Sequence, residues 1–356
     1  MYGIGGLCWT QCFAYSTNEQ TRRARMRIRD LAKTAVMLAL AVFFIGCGGE
    51  QEAPGEKKLK IAGIVFQEDQ FFRLIQFGMQ DAADKAGVEL LLANSANKPD
   101  KEIQLVNTYI ARGVDAIVIS PLSAKASATA LKRAKDKGIV VVTYNSTVDG
   151  DIAASYVESD QTDLGRQTGL VAKRYIEEQL GGKAKIATLA FKSQLAEQSD
   201  ARRNGFVDVV GQLPGVEFVA EQDAWLPEMA IKKAGDILTA NPDVNIIWSA
   251  NEGGTVGAVM AVKNSGKEGK VAVFGTDSSE QLVQFALSED GILQAITTQT
   301  PFELGVKAVE SAVAALKGEK VVSKVVMEGV LVTREDPQGV MAFGARLKEL
   351  IALGNK

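Results

Sequence analysis

Two α/β lobes, each a doubly wound, open parallel sheet with helices on both faces, are the fold the sequence predicts. Three observations carry that reading. Short β-branched runs alternate with amphipathic stretches from Leu59 onward, the element order of an α/β layer structure. Several runs are continuously apolar, such as Ala116-Ile117-Val118-Ile119 and Ile139-Val140-Val141-Val142, as strands buried on both faces are. The order of units over 59–144 recurs over 185–276, which fits two like-wound lobes better than one long sheet. The recurrence is one of element order; no repeat of individual residues is visible.

Taken in order, strands are expected at Lys60–Phe66, Val88–Ala93, Asp115–Ser120 and Ile139–Tyr144, then at Lys185–Phe191, Val216–Glu221, Val244–Ala250, Val271–Thr276 and Leu293–Gln299. Helical patterns lie between them at Phe72–Ala86, Lys101–Arg112, Ala124–Lys137, Asp163–Leu180, Ala201–Gln212, Pro227–Ala240, Thr255–Asn264, Glu280–Ser288 and Pro301–Leu316. Many stop at a residue suited to a helix end, such as Gly87, Gly113, Gly138, Gly181, Asn241-Pro242 or Gly318. A further helical run near Phe343–Leu353 belongs to a tail, 337–356, with no evident role.

The N-terminal part has a different character. Thr34–Gly46 is a 13-residue apolar stretch preceded by Arg27, Arg29 and Lys33, too short to span a bilayer core that needs about 20 residues. A basic flank, a short apolar segment and small residues read as an export signal over 1–46, with Met26 as the preferred start. Cys47 directly follows and resembles the acylated cysteine of a lipobox. Residues 47–58 then read as a tether, since Gln51–Lys58 is polar, aperiodic and carries Pro54 and Gly55. Cys8 and Cys12 fall in the discarded part, which leaves Cys47 alone in the mature chain, as suits an oxidising compartment.

Composition excludes several classes. With 356 residues, 46% hydrophobic and 23% charged, the chain is neither disordered nor a disulfide scaffold. Residues 1–46 hold six Lys/Arg and two Asp/Glu, so the remainder carries 34 against 41, a net charge of −7. Such an acidic body is a poor partner for a phosphate backbone, and nucleic acid is not expected. The absence of histidine removes the commonest general base and metal ligand. No nucleophile elbow is present, and Gly253, Gly254 and Gly257 lack dinucleotide-loop spacing. Neither an enzyme, a cofactor nor a metal is expected.

Ligands of open parallel sheets sit at the carboxyl ends of the strands. The residues found there are flat aromatics and planar polar groups: Asp69, Phe71 and Phe72 after the first strand, Asn145 after the fourth, then Arg202, Trp225, Asn251, Asp277 and Gln299. Rings cover the apolar faces of sugars, while Asp, Asn, Gln and Arg bridge adjacent hydroxyls. Phe72 and Trp225 are expected to clamp the guest from opposite sides. For Asp277 and Asn251 a helix-capping role is also open, for Arg202 a pairing with Asp200 or Glu197, and for either phenylalanine a place in the core.

On these motifs the chain, from Leu59 to about Thr333, resembles the ribose/galactose-type periplasmic binding proteins, the sugar-binding subunits of ABC importers. The resemblance implies a type I periplasmic-binding-protein fold with three crossing segments as its hinge. It places the first lobe at 59–159 plus 300–327 and the second at 160–299 plus 328–356. The motif residues are Phe71-Phe72 with Asp69, Asn145, Arg202 in Arg202-Arg203-Asn204-Gly205-Phe206, Trp225, Asn251, Asp277 and the hinge amide Gln299. This chain departs from the ribose pattern. Asn145-Ser146 stands where Asp-Arg is usual, Glu252 where Asp often follows the Asn, and Gln70 where a Pro precedes the rings. Ribose is therefore not the expected guest, and a Trp225 facing Phe72 leans toward a pyranose, as in the glucose/galactose binders of that family.

The implied partners are a monosaccharide and an ABC permease, with a chemoreceptor or membrane kinase if the protein senses its ligand. An autoinducer-2-like furanose, a nucleoside or a polyol is the alternative guest. A LacI-type regulator would need a helix-turn-helix where an export signal stands. The expected location is the periplasm or the outer face of the membrane, held there through Cys47.

Overall fold

A computed structural model describes residues 58–353. The leader, the Met26 start, Cys47 and most of the tether lie outside those residues. The first sheet gathers β1 (Lys60–Val65), β2 (Glu89–Asn94), β3 (Ala116–Ile119), β4 (Val140–Tyr144) and β5 (Ser155–Ser159), joined by α1 (Gln70–Ala86), α2 (Pro99–Ala111) and α3 (Ala124–Asp136). The chain then crosses into α4 (Gln161–Gln179). A second sheet follows from β6 (Lys183–Ala190), β7 (Gly215–Asp223), β8 (Ile246–Ser249), β9 (Ala272–Thr276) and β10 (Leu293–Thr298). Its connections are α5 (Lys192–Val210), α6 (Pro227–Ala240), α7 (Glu252–Asn264) and α8 (Glu280–Leu287). A return crossing leads to α9 (Pro301–Leu316) and β11 (Lys324–Met327), and a third to β12 (Val330–Thr333) and α10 (Pro337–Ala352).

Sheet order is β11-β5-β4-β3-β1-β2 in the first lobe and β12-β10-β9-β8-β6-β7 in the second. All pairings are parallel except β10 with β12. Each lobe is thus the doubly wound parallel sheet expected from the apolar runs. In both, the order reverses beside the first strand, where a crevice opens at the carboxyl ends. Apolar strand residues face helices on each side. Ile61, Val118 and Val142 join one core cluster of the first lobe, and Ala62, Ile117 and Val141 the other.

A residue-level repeat does exist, and glycine carries it. In the second lobe α4 crosses α5 so closely that a Cβ on Gly165 would lie 1.7 Å from the Arg202 carbonyl oxygen, and one on Gly205 2.0 Å from that of Thr162. In the first lobe α9 crosses α1 in the same way. A Cβ on Gly305 would lie 2.1 Å from the Ile75 oxygen, and one on Gly78 1.9 Å from that of Phe302. The helix entering each lobe from the hinge is therefore seated backbone to backbone on the helix that follows the lobe's first strand. Arg202 sits at one of these crossings.

Four elements depart from the sequence reading. β5, with burial alternating along Ser155-Tyr156-Val157-Glu158-Ser159, lacks an apolar run and was not expected as a strand in the periodicity. β11 and β12 are short edge strands with exposed Val326, Val330 and Leu331. Helix α5 begins at Lys192 rather than Ala201, and Leu195 breaks it with φ −142° and ψ 83°. The tail forms α10, whose Val340, Leu347 and Leu350 join Val283 of α8 in the second lobe's core cluster, to which Leu74 of α1 and Phe302 of α9 also belong.

Candidate functional site

Asp69 ends the β1 loop and caps α1, accepting from the Phe72 N–H at 2.9 Å, which fixes how the two following rings leave the helix. Adjacent helical residues point differently. Phe72 turns inward against Phe66, with centroids 4.4 Å apart, and is only 3% exposed within the first lobe's core. Phe71 is half-buried and meets Phe72 edge-on at 5.2 Å. Both border the cleft, but the ring with surface left for a guest is Phe71. The expected Phe72–Trp225 pair is to that extent revised, because the capped turn commits Phe72 to the core.

The two lobes present matching groups at matching places. Asn145 follows β4 with φ +58°, and Asp277 follows β9 with φ +66°. Left-handed backbone is unfavourable for most side chains and tolerated best by Asn and Asp. Held there, each side chain leaves its strand end toward the cleft. Strained backbone of this kind concentrates at functional sites.

Arg202 is the polar centre of the second lobe. It is 3% exposed. Its Nε donates to Gln161 Oε1 at 2.7 Å, and its Nη1 to the Ala250 carbonyl at 2.8 Å and to Asp277 Oδ2 at 2.9 Å. Neither Asp200 nor Glu197 is its partner; Lys192 pairs with Asp200 instead. The Phe191 ring lies beneath the guanidinium, 5.1 Å from centroid to Cζ. Asp277 accepts a further bond through Oδ1 from Gln299 Nε2 at 3.0 Å, so hinge and lobe are tied through one carboxylate. Gln299 is 6% exposed and its Oε1 is buried without a partner among the described residues. Asn251 does cap its helix, accepting from Gly254 N–H at 3.2 Å, while its Nδ2 donates to the Trp225 carbonyl at 2.8 Å and pins the loop that carries the indole.

All nine residues picked out of the sequence border a single cavity of about 270 Å³. It opens between the carboxyl ends of the two sheets. Missed were Gln194 and Gln198, because the polar start of α5 reads as loop. Gln198 Nε2 donates to the Asn145 carbonyl at 2.8 Å, a direct bond from the second lobe to the first. Glu252 also borders the cavity. Burial holds its carboxyl above the usual range, opposed by the Ser279 hydroxyl and reinforced by the charges of Asp277 and Asp69. Among the described residues no group of three or more acidic, Cys or His side chains is disposed to hold a metal ion. None of the described helices is long and apolar enough to cross a membrane.

Rings at the rim, planar hydrogen-bonding groups inside and a two-lobed frame that meets across the cavity define a protein built to enclose a small polar ligand. Residues 64–320 match the family model of the periplasmic binding protein domain. The chain belongs to that family. It is 30% identical over 284 residues to the ABC transporter periplasmic-binding protein YphF of Escherichia coli, covering 78% of this chain and 84% of that protein. With the ribose import binding protein of Escherichia coli it shares 32% identity over 270 residues, 74% and 87% of the two chains. A solved ABC transporter periplasmic solute-binding protein from Actinobacillus succinogenes, with bound D-allose, superposes with a TM-score of 0.71. The two are 27% identical, over 79% of this chain and 99% of the other.

Proposed function

We propose that this protein is an extracytoplasmic solute-binding protein that captures a monosaccharide, preferentially a pyranose, by closing its lobes and delivers it to an ABC permease. The observation that carries this reading is the single cavity bordered by Asp69, Phe71, Asn145, Arg202, Trp225, Asn251, Asp277 and Gln299 from both lobes and the hinge. A ligand touching both lobes binds the closed state better and shifts the population toward it. Related proteins named for ribose import and crystallised with D-allose support a sugar as the guest. In this reading the first lobe comprises 59–159 plus 300–327 and the second 160–299 plus 328–356. The segment 1–46 directs export, and Cys47 carries the lipid that holds the tethered body at the membrane.

Thermal unfolding in the presence of a panel of monosaccharides tests the reading, because a ligand of the native state alone raises the melting temperature. At a concentration about 100 times Kd the gain is about 2.7 kcal/mol. A panel of aldohexoses, aldopentoses and inositols that produces no shift overturns it.

A further inference from the structure

Donors and acceptors around the cavity are unevenly committed. Arg202 engages Nε with Gln161 and Nη1 with Ala250 and Asp277. The amide nitrogens of Asn251, Gln299 and Gln198 donate to Trp225, Asp277 and Asn145. Two acceptors stand out beside these commitments. Gln299 borders the cavity, and its Oε1 is buried with no partner among the described residues. Glu252 faces the same space with the Ser279 hydroxyl as its hydrogen-bonding neighbour, next to Asp277, to which Gln299 is bonded.

Charge runs the same way. Among the described residues bordering the cavity, three carry a carboxylate (Asp69, Glu252 and Asp277) and Arg202 alone a positive charge. Asp277 is paired with that guanidinium, and Asp69 is engaged as a helix cap. Glu252 is left without a cation. A sugar hydroxyl brings one donor, two acceptor lone pairs and no charge, so it does not relieve such an imbalance, whereas an ammonium brings three donors, no acceptor and a positive charge. Its hydrogen bonds to a carboxylate are charge-assisted and about twice as strong as neutral ones.

Resting on the reading of the cavity as a site for a hydroxylated ring, we infer that the guest carries a protonated amine, as an amino sugar or aminocyclitol does, with its ammonium set against Glu252 and Gln299 Oε1.

Calorimetry on the full chain at neutral pH tests this with matched pairs: glucose and glucosamine, galactose and galactosamine, mannose and mannosamine, an inositol and its monoamino derivative. The amine of at least one pair is expected to bind about tenfold more tightly than its alcohol, or better. Its N-acetyl derivative, which keeps the nitrogen and loses the charge, is expected to forfeit that gain. In Glu252→Gln the ratio of amine to alcohol affinity should fall close to unity. Equal or weaker binding of the amine in every pair that binds overturns the inference and leaves the hydroxylated-ring reading standing, as does a preference retained by the N-acetyl derivative. If neither alcohols nor amines bind, both fall together. The N-acetyl comparison uses the unaltered protein, so the outcome does not depend on the variant folding.

Discussion

Arg202 Nη1 lies 2.9 Å from Asp277 Oδ2, and the other oxygen of that carboxylate accepts from Gln299 at the hinge. One ion pair therefore joins α5, the end of β9 and a crossing segment. Removing one partner of a buried pair leaves the other charge uncompensated, at about 3–5 kcal/mol. Asp277 keeps 21% of its side chain in contact with solvent, so Arg202→Met is expected near the lower end, about 3 kcal/mol. Ligand binding should be lost as well. Urea unfolding of Arg202→Met, Asp277→Asn and the double variant checks it. The double variant should be less destabilised than the sum of the singles, as residues in one network couple, and additivity would refute the pairing.

The two rings after β1 should separate cleanly in a mutational test. Phe72→Ala empties a core position, with an expected loss of about 3–5 kcal/mol in stability. Phe71→Ala and Trp225→Ala remove half-buried rings, so their melting points should change little while affinity falls more than about tenfold, or 1.4 kcal/mol. Calorimetry beside thermal unfolding distinguishes the two behaviours; a Trp225→Ala protein that binds normally removes the indole from the site.

Gly165 permits the closest helix approach, with the Arg202 carbonyl 1.7 Å from where a Cβ would stand. The obstructing atoms all belong to the backbone, so Gly165→Ala must push α4 and α5 apart, at about 1–3 kcal/mol. Arg202 moves with its helix, and affinity should fall too. Gly78→Ala, the equivalent change in the first lobe, is expected to cost similar stability without displacing Arg202. Paired unfolding and binding curves for the two variants test that asymmetry.

Glu252 gives a prediction in pH. Its carboxyl sits above the ordinary value of 4.5, burial being the main cause. Ionising it therefore costs the folded state stability as pH rises through its folded value. Below the unfolded value the carboxyl is protonated in both states and the cost is absent. Glu252→Gln should melt with the parent protein at about pH 4 and above it at about pH 8. A Gln variant that is less stable than the parent at the higher pH would show that the charged form is favoured where it stands.

Much of this molecule was legible in its sequence, for identifiable reasons. Buried parallel strands such as β3 and β4 announce themselves as apolar runs, and cleft residues follow strand ends, so Asn145, Asn251 and Asp277 could be read off directly. β5 was hidden because only alternate residues of Ser155–Ser159 are fully buried, and β11 because its valines lie on an edge. Gln194 and Gln198 were missed because a helix broken at Leu195 leaves no apolar period to detect. The glycine repeat escaped notice because what recurs is contact between backbones, which leaves no side-chain signature at the facing positions. Phe72 shows the limit of type-based reasoning, since residue type alone could not say which of two adjacent rings the capped turn of α1 would bury.

Gln198 reaches across to the main chain of Asn145, not to its side chain. Any amino acid that tolerates the turn at that position offers the same oxygen. Descendants of this gene are thus free to exchange the group at 145 for one with a different appetite while keeping the clasp intact. Diet and grip would then drift on separate evolutionary tracks.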